Sequence, residues 1–572
     1  MERYCSTVAI VGIGGIFPDS PDLESFWGHI SSGRSVARDV PEGRWMIPTD
    51  AAYSPEIAAP DKVYSRRGCF IENLASAAEL SGLSINPATL AGLDPLFHLL
   101  IQAGKRAFDD GQTSAIDRDR VGVIIGNLAL PSETSSQLTR NLLGRTFEER
   151  LLGSAPPAEP TSPLNRFPAG LPAGLLAQAL GLGGGCFTLD AACASSLYAI
   201  KLAADELLAG RADAMLTGGV SRPDPLFTQM GFSQLRALSK RGICSPFDAQ
   251  GDGLVVGEGA GLFLLKRTED AVAQGDRIYG IIRGIGLAND VGGSLLAPMT
   301  EGQLRAMRAA YAKAGWNPQD VDLIECHATG TPVGDAVEVA SLKELWGTEA
   351  TADHSCVIGS VKSNIGHLLT AAGGAALTKV LLAMQHEILP PTANFNTAQP
   401  GMALESSPFQ ILSAAKTWQR RSETTPRRAA VSAFGFGGIN AHLLVEEYFP
   451  PLEKGGQGGF ETHYKRQIPL NPPLSKGEDN SAQSSTPIAI VGLDASFGPW
   501  LDLDAFRERG LGGDSATMPG RPSRWWGAQL SQWFRQEGFE KTPFEGYYRD
   551  EVQVPTDRFR IPPREMEEML PQ

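Results

Sequence analysis

At 572 residues the chain exceeds one ordinary domain and predicts a large domain with further sequence attached. A net charge of −14 excludes the basic footprint that a phosphate-backbone ligand requires, so no nucleic-acid partner is expected. Seven cysteines without a CxxC pair or regular spacing argue against a disulfide framework or a zinc site and fit a reducing cytoplasm, and no apolar run reaches the length of a membrane span.

The apolar start Val8–Ile13 is short, Gly-interrupted and without a basic leader, which predicts a buried strand rather than a signal peptide. Val121–Ile125, Ala214–Gly218 and Gly261–Lys266 read as further buried strands. Ala199–Leu208 and Gln303–Ala314 read as helices, the first stopped by Gly210. A second set of strands follows at Ile278–Gly286, Val321–Glu325, Cys356–Val361, Ala429–Ala433 and His442–Glu446. The alternation predicts an α/β domain with largely buried sheets, its strands in two groups that divide near residue 270.

From Pro450 to Thr486 apolar residues become scarce among Gly, Pro, Ser and Lys, so residues 449–486 are expected to be a flexible linker. The chain then begins again. Val8-Ala9-Ile10-Val11-Gly12 returns 480 positions later as Ile488-Ala489-Ile490-Val491-Gly492, followed in register by Phe497, Asp502-Leu503 and Phe506, and Arg44-Trp45 is echoed by Arg524-Trp525. This predicts that residues 487–572 begin a second copy of the domain. The copy stops at Gln572, where the first has reached only about Leu96, so the chain is expected to be a piece of a longer protein.

Cys193 lies between the Gly-rich turn Gly181–Gly185 and a helix over Leu197–Leu208. There the helix N-terminus favours thiolate and backbone N–H groups can hold an oxyanion. Its neighbours Ala191, Ala192, Ala194 and Ser195 are small enough to admit a thioester. A lone cysteine would read as buried and inert, and Cys5, Cys69, Cys186, Cys244, Cys326 and Cys356 keep that reading. What singles out Cys193 is the remainder of the set. His327, one of eight histidines, stands at a strand end beside Thr329 and Thr331, and His367 follows Lys362 by five residues. Two neutral imidazoles converging on a nucleophilic cysteine could hydrogen-bond a thioester carbonyl and stabilise an enolate, although each alone would read as structural. Ser432–His442 supplies a Gly-rich loop with Phe434 and Phe436, either a gate or a tight turn with core aromatics.

Taken together, these segments resemble the β-ketoacyl synthase family, in its order and over about residues 7–448. Further matches are Cys244-Ser245-Pro246-Phe247-Asp248, Gly257-Glu258-Gly259-Ala260-Gly261 and the opening Val11-Gly12-Ile13-Gly14-Gly15-Ile16-Phe17-Pro18. The resemblance implies a thiolase-like αβαβα five-layer sandwich of two similar halves, about 1–270 and 271–448 within a domain over 1–448, and usually a dimer. It implies that Cys193 takes an acyl chain from an acyl carrier protein. His327 and His367 would then assist decarboxylation of a malonyl thioester, and the resulting enolate would attack the acyl-cysteine. Lys362, Asp335 and Glu338 would organise the polar site, and the N–H groups of Cys193 and Phe436 would form the oxyanion hole. Phe436 would gate the channel, Thr329 and Thr331 would line the phosphopantetheine tunnel, and Phe434 and Asn440 would contact substrate. No metal or redox cofactor is implied.

Ala328 stands where the family commonly has glycine and Ala194 where serine is frequent, which points away from the commonest modular polyketide synthases. With a second copy following, the layout is similar to polyunsaturated-fatty-acid and related glycolipid synthases, in which a chain-length factor follows the ketosynthase. The chain is therefore expected to pair as a homodimer or with the second ketosynthase-like domain. A silent chain-length factor is the alternative from the scaffold class, but it should lack the cysteine or a histidine. A thiolase is another, but it usually needs a second catalytic cysteine near its end, and none follows Cys356.

Overall fold

Each of the expected strands forms, and runs such as Val8–Ile16 and Val121–Gly126 are buried on both faces, as strands of a covered sheet are. The computed structural model describes residues 7–449 except 58, 73, 75–79, 81, 112–115, 154–160, 293–296 and 348–354, together with 488–512, 520, 534–535, 538–541 and 545–548. Apart from residue 449, the expected linker lies outside the described residues. The chain divides into two units, one of Met1–Leu138 with Pro160–Pro451 and one of Thr139–Glu159 with Leu452–Gln572.

Among the described residues, the main sheet of the first unit has eleven strands, numbered here in chain order. They are β1 (Val8–Ile16), β2 (Val121–Gly126), β3 (Cys186–Leu189), β4 (Ala214–Ser221), β5 (Gly259–Arg267) and β6 (Gly280–Asn289), then β7 (Leu323–Glu325), β8 (Cys356–Gly359), β9 (Phe409–Gln410), β10 (Arg428–Gly435) and β11 (Ile439–Glu446). One half runs β3-β2-β4-β5-β1 and the other β8-β7-β10-β11-β6, with β9 on the outer edge of β8. The two halves repeat the same order and the same senses, two parallel pairings followed by two antiparallel ones. They join where Val8, Ala9 and Ile10 of β1 pair with Ile282, Ile281 and Gly280 of β6.

Helices Ser195–Leu208 and Ala372–His386 share one core with residues of both half-sheets, among them Phe263 and Leu265 from one and Val431 and Leu443 from the other. Helix Pro95–Asp110 covers the far face of the first half and Thr300–Ala314 that of the second, completing five layers. Every residue of Ala372–Met384 is buried, which explains why this helix carries no amphipathic period and is not legible in the sequence. Its backbone comes so near β5 that a Cβ on Gly374 would sit 2.7 Å from the Gly261 carbonyl oxygen. Lys379 from this helix forms a buried ion pair with Glu325 at 2.6 Å.

Residues 488–512 reproduce locally what the first copy does. Phe497 bridges Trp500 as Phe17 bridges Ser20, Asp502 accepts the Ala505 N–H as Asp22 accepts that of Ser25, and Phe497 packs on Phe506 as Phe17 packs on Phe26. The turn, cap and aromatic pair of the repeat are thus written in its own residues. Its strand counterpart is not formed among the described residues: Ile488, Ile490 and Val491 carry no strand pairing and are exposed. The helix Arg145–Leu152 in the second unit carries no clear signal in the sequence.

Candidate active site

Cys193 stands at the tip of the turn between β3 and helix Ser195–Leu208. Ala192 before it is held in the left-handed region at φ 48°, an unfavourable conformation for a residue with a Cβ. Side chains impose the turn. Asp190 accepts the Ala192 N–H at 2.9 Å and the Ala129 N–H at 3.0 Å, while Ser195 Oγ accepts from Ala191 N and donates to Ala192 O. Ser195 is therefore a strut of the turn, beyond being a small neighbour. Across from it, a Cβ on Gly435 would lie 2.9 Å from Ala192 Cβ and 3.1 Å from Cys193 N, so only glycine lets the Phe436 loop approach this closely.

His327 follows the end of β7 and is only partly buried. The first turns of helix Pro332–Trp346 carry Asp335 and Glu338, whose carboxylates fasten the loop behind that histidine. Glu338 accepts the N–H groups of His327 and Ala328, and Asp335 accepts those of Thr329, Gly330 and Phe247. Neither carboxylate makes an ion pair within 4 Å of Lys362, whose buried Nζ instead approaches the Cys326 carbonyl oxygen at 3.4 Å. Lys362 acts on the acids through space and the acids act on the loop by hydrogen bonds.

His367 follows the short helix Lys362–Ile365 and Gly366, and its backbone is pinned to Val255 and Gly257. Its Nε2 lies 3.0 Å from Cys193 Sγ. The two histidine rings meet edge to face at 5.3 Å between centroids, and Phe434 packs against His327 at 5.9 Å. Phe436 is 39% exposed and its ring lies 6.2 Å from that of Phe232. All of these face a cleft of about 450 Å³, which Thr329 and Thr331 also line with their hydroxyls 2.9 Å apart.

Asn440 lines the same cleft but spends its amide on Asp290, at 3.0 Å, and on Gly438 O, at 2.8 Å. Asp290 in turn receives the Met299 N–H and donates its own N–H to Gly438 O. Asn440 is thus a clamp on the loop that carries Phe436. Asp290, Phe232 and Leu235 belong to the cleft and had no sequence signal, being a lone acid after a strand and two apolar residues at a helix end.

Burial dominates the electrostatics. It pushes the Cys193 thiol up to about 12, against a smaller opposing pull from Lys362. The helix N-terminus was expected to favour thiolate, and burial overturns this for the resting protein. Burial, with help from Lys362, pushes His367 down to about 3 and His327 well below the usual imidazole range, so both rings are neutral. Glu338 is raised to about 7 and Asp335 to about 6, again by burial, which outweighs their backbone hydrogen bonds. A second expectation also changes: Cys186, read as buried, is exposed on the edge strand β3, while Cys69, Cys244, Cys326 and Cys356 are buried as expected. Cys5 lies outside the described residues.

Family models described as "Beta-ketoacyl synthase, N-terminal domain" and "Beta-ketoacyl synthase, C-terminal domain" match residues 6–271 and 279–396. Polyketide synthase PksL of Bacillus subtilis (strain 168) is 34% identical over 456 residues, 78% of this chain and 9% of that protein. A polyunsaturated fatty acid synthase component of Thraustochytrium sp. is 34% identical over 499 residues, 84% of this chain and 23% of that protein. The chain thus spans less than a quarter of either relative. Among solved structures, a "PfaC Keto synthase-Chain length factor" matches with a TM-score of 0.83 at 35% identity, covering 97% of this chain and 58% of that one. Among the described residues, no helix is long and apolar enough to cross a membrane.

Proposed function

This chain belongs to the β-ketoacyl synthase family, and on that premise we propose that it joins an acyl thioester on Cys193 to a malonyl thioester by decarboxylative Claisen condensation. The observation that carries the reading is the 3.0 Å contact between Cys193 Sγ and His367 Nε2, with His327 beside it on an open cleft.

In the first half-reaction Cys193 sulfur adds to the carbonyl of an acyl group carried on phosphopantetheine. The thiol proton passes to the departing carrier thiol, and the acyl–sulfur bond moves to the cysteine. His367, neutral and weakly basic, holds the thiol in register and relays its proton without storing it. The backbone N–H groups of Cys193 and Phe436 stabilise the oxyanion. In the second half-reaction the malonyl carboxylate leaves as carbon dioxide, and its bonding electrons become an enolate whose oxygen accepts N–H hydrogen bonds from His327 and His367. The enolate carbon attacks the acyl carbonyl, a carbon–carbon bond forms, and the Cys193 sulfur leaves and is reprotonated. Neutral imidazoles suit this role because they donate a hydrogen bond without first being discharged.

Lys362 biases the site toward negative charge, and Asp335 and Glu338 fix the loop that aims His327. Thr329 and Thr331 take the pantetheine arm, Phe434 walls the site, Phe436 gates it, and Asn440 clamps the gate. The partners are an acyl carrier protein with its phosphopantetheine and a second ketosynthase-like domain, either another copy or the one that begins at 487, acting in the cytoplasm. We assign 1–448 to the ketosynthase, with halves about 1–270 and 271–448, 449–486 to a linker, and 487–572 to the start of a chain-length-factor-like domain. Support for the last comes from the repeated turn, cap and aromatic pair, and from the coverage of the PfaC match. A silent scaffold role for the first domain is disfavoured because Cys193, His327 and His367 stand together.

The test is to incubate the protein with an acyl carrier and a malonyl carrier and follow carbon dioxide release and β-ketoacyl product. Both are expected in wild type and absent in Cys193→Ala. Undiminished product from Cys193→Ala would refute the assignment.

A further inference from the structure

We propose that Cys193, His327 and His367 also form a binding site for a thiophilic divalent cation of the zinc class, which closes the cleft by capturing the thiol. One ligand atom from each residue, a sulfur and two ring nitrogens, lies within 4.8 Å of the others. A tetrahedral zinc centre holds such atoms about 3.3–3.6 Å apart, given zinc–sulfur bonds near 2.3 Å and zinc–nitrogen bonds near 2.0–2.1 Å. The Cys193–His367 pair is already at 3.0 Å, so the set needs side-chain adjustments of about an ångström and no movement of strands or helices.

The donor set also sets the selectivity. No carboxylate joins this cluster among the described residues, and both oxygens of Glu338 and both of Asp335 are occupied by backbone N–H groups. What remains for an ion is one sulfur and two imidazoles, which suits Zn²⁺, Co²⁺ or Cd²⁺ and does not suit Mg²⁺ or Ca²⁺. All three ligands line the open cleft, so an ion can enter and water can fill its fourth position.

Two features make the site reversible. Nδ1 of His327 and Nδ1 of His367 are buried without a hydrogen-bond partner, so neither ring is braced from behind as ligands of permanent zinc sites are. The buried Lys362 ammonium nearby opposes a second cation. On binding, the S–H bond breaks, a metal–sulfur bond forms and the proton is released to water, with no change of oxidation state. The ion would draw on the sulfur's negative charge and, with its water, fill the part of the cleft that the thioester carbonyl must enter, so it competes with acyl loading.

Binding does not rest on the condensation reading; only the competition does. The experiment titrates the chelator-stripped full chain with Co²⁺, followed by absorption. We expect a thiolate-to-cobalt charge-transfer band with tetrahedral d–d bands, displaced by Zn²⁺ and unaffected by Mg²⁺. The bands should vanish in Cys193→Ala and survive in Cys186→Ala. His327→Ala and His367→Ala should each weaken binding by more than about 100-fold, beyond what loss of an outer-shell partner causes. In unmodified protein, Zn²⁺ should block alkylation of Cys193 at mildly alkaline pH while Cys186 still reacts, which guards against a variant that fails to fold. No charge-transfer band at saturating Co²⁺, a band that persists in Cys193→Ala, or no protection of Cys193 overturns the proposal. If metal binding holds while no acyl group loads on metal-free protein, the condensation reading fails and the metal site stands.

Discussion

Glu338 accepts the backbone N–H of His327 on one carboxylate oxygen and that of Ala328 on the other, each at 2.8 Å. The position of His327 is therefore set from behind, by an acid two turns along the next helix that does not touch its ring.

Glu338→Gln turns one of those acceptors into a donor facing an N–H. We expect it to destabilise the protein by about 1–3 kcal/mol, as loss of a buried hydrogen bond does. It should slow decarboxylation more than acyl loading, because the Cys193–His367 contact is left alone. Urea midpoints and separate assays of the two half-reactions check both statements.

Stability should depend on pH in two opposing ways. His367 and His442 are pushed down to about 3 and His327 well below 6.5, so the unfolded chain binds more protons at these sites, and their contribution is lost as pH falls below about 6.5. Glu338 and Asp335 are raised to about 7 and about 6, so there the folded chain binds more protons and stability declines as pH rises toward those values. The imidazoles outnumber the acids. Unfolding free energy should rise from about pH 4.5 and level off above about pH 7, and Glu338→Gln should steepen the rise by removing one opposing acid. Denaturation at a series of pH values reads this directly.

Lys379 and Glu325 form an ion pair that is almost wholly buried, and Glu325 also accepts the Val361 N–H at 2.5 Å, next to Lys362. Lys379→Met should cost about 3–5 kcal/mol, because it strands the carboxylate without its counter-charge. Chemical denaturation of the variant measures it.

Thiol reactivity should invert the catalytic ranking. Cys193 is buried and its thiol is raised to about 12, whereas Cys186 is exposed. Iodoacetamide at neutral pH should label Cys186 first, with Cys193 accelerating steeply at alkaline pH. Peptide mapping against time gives both rates; faster labelling of Cys193 at pH 7 would contradict the burial argument.

Much of the site was legible because its chemistry sits at strand ends and glycine turns, where local sequence fixes position: Cys193 after β3, His327 after β7, and the Phe436 loop between β10 and β11. What stayed hidden depends on distance or on the absence of a pattern. Helix Ala372–His386 is buried all round and has no period to detect. The strand Cys186–Leu189 is short and half exposed at the sheet edge. The acids were linked to Lys362 by resemblance, yet their partners are backbone amides, which sequence does not display. The network joining Arg44 to Glu258 at 2.5 Å and Arg222 to Glu133 at 3.0 Å links segments up to about two hundred residues apart and left no local trace. The inverted thiolate expectation has the same origin, since a helix end can be read from sequence and the depth of burial cannot.

In the proposed reaction Cys193 carries the growing acyl chain. To test that role, the protein is mixed with an acyl-loaded carrier without the malonyl donor, digested, and the peptide containing Cys193 is weighed. One acyl group is expected on Cys193, released when the malonyl carrier is added, as the acyl-carrying role requires. An unmodified Cys193 peptide, or an acyl group resting on Cys186 or another residue, would contradict it.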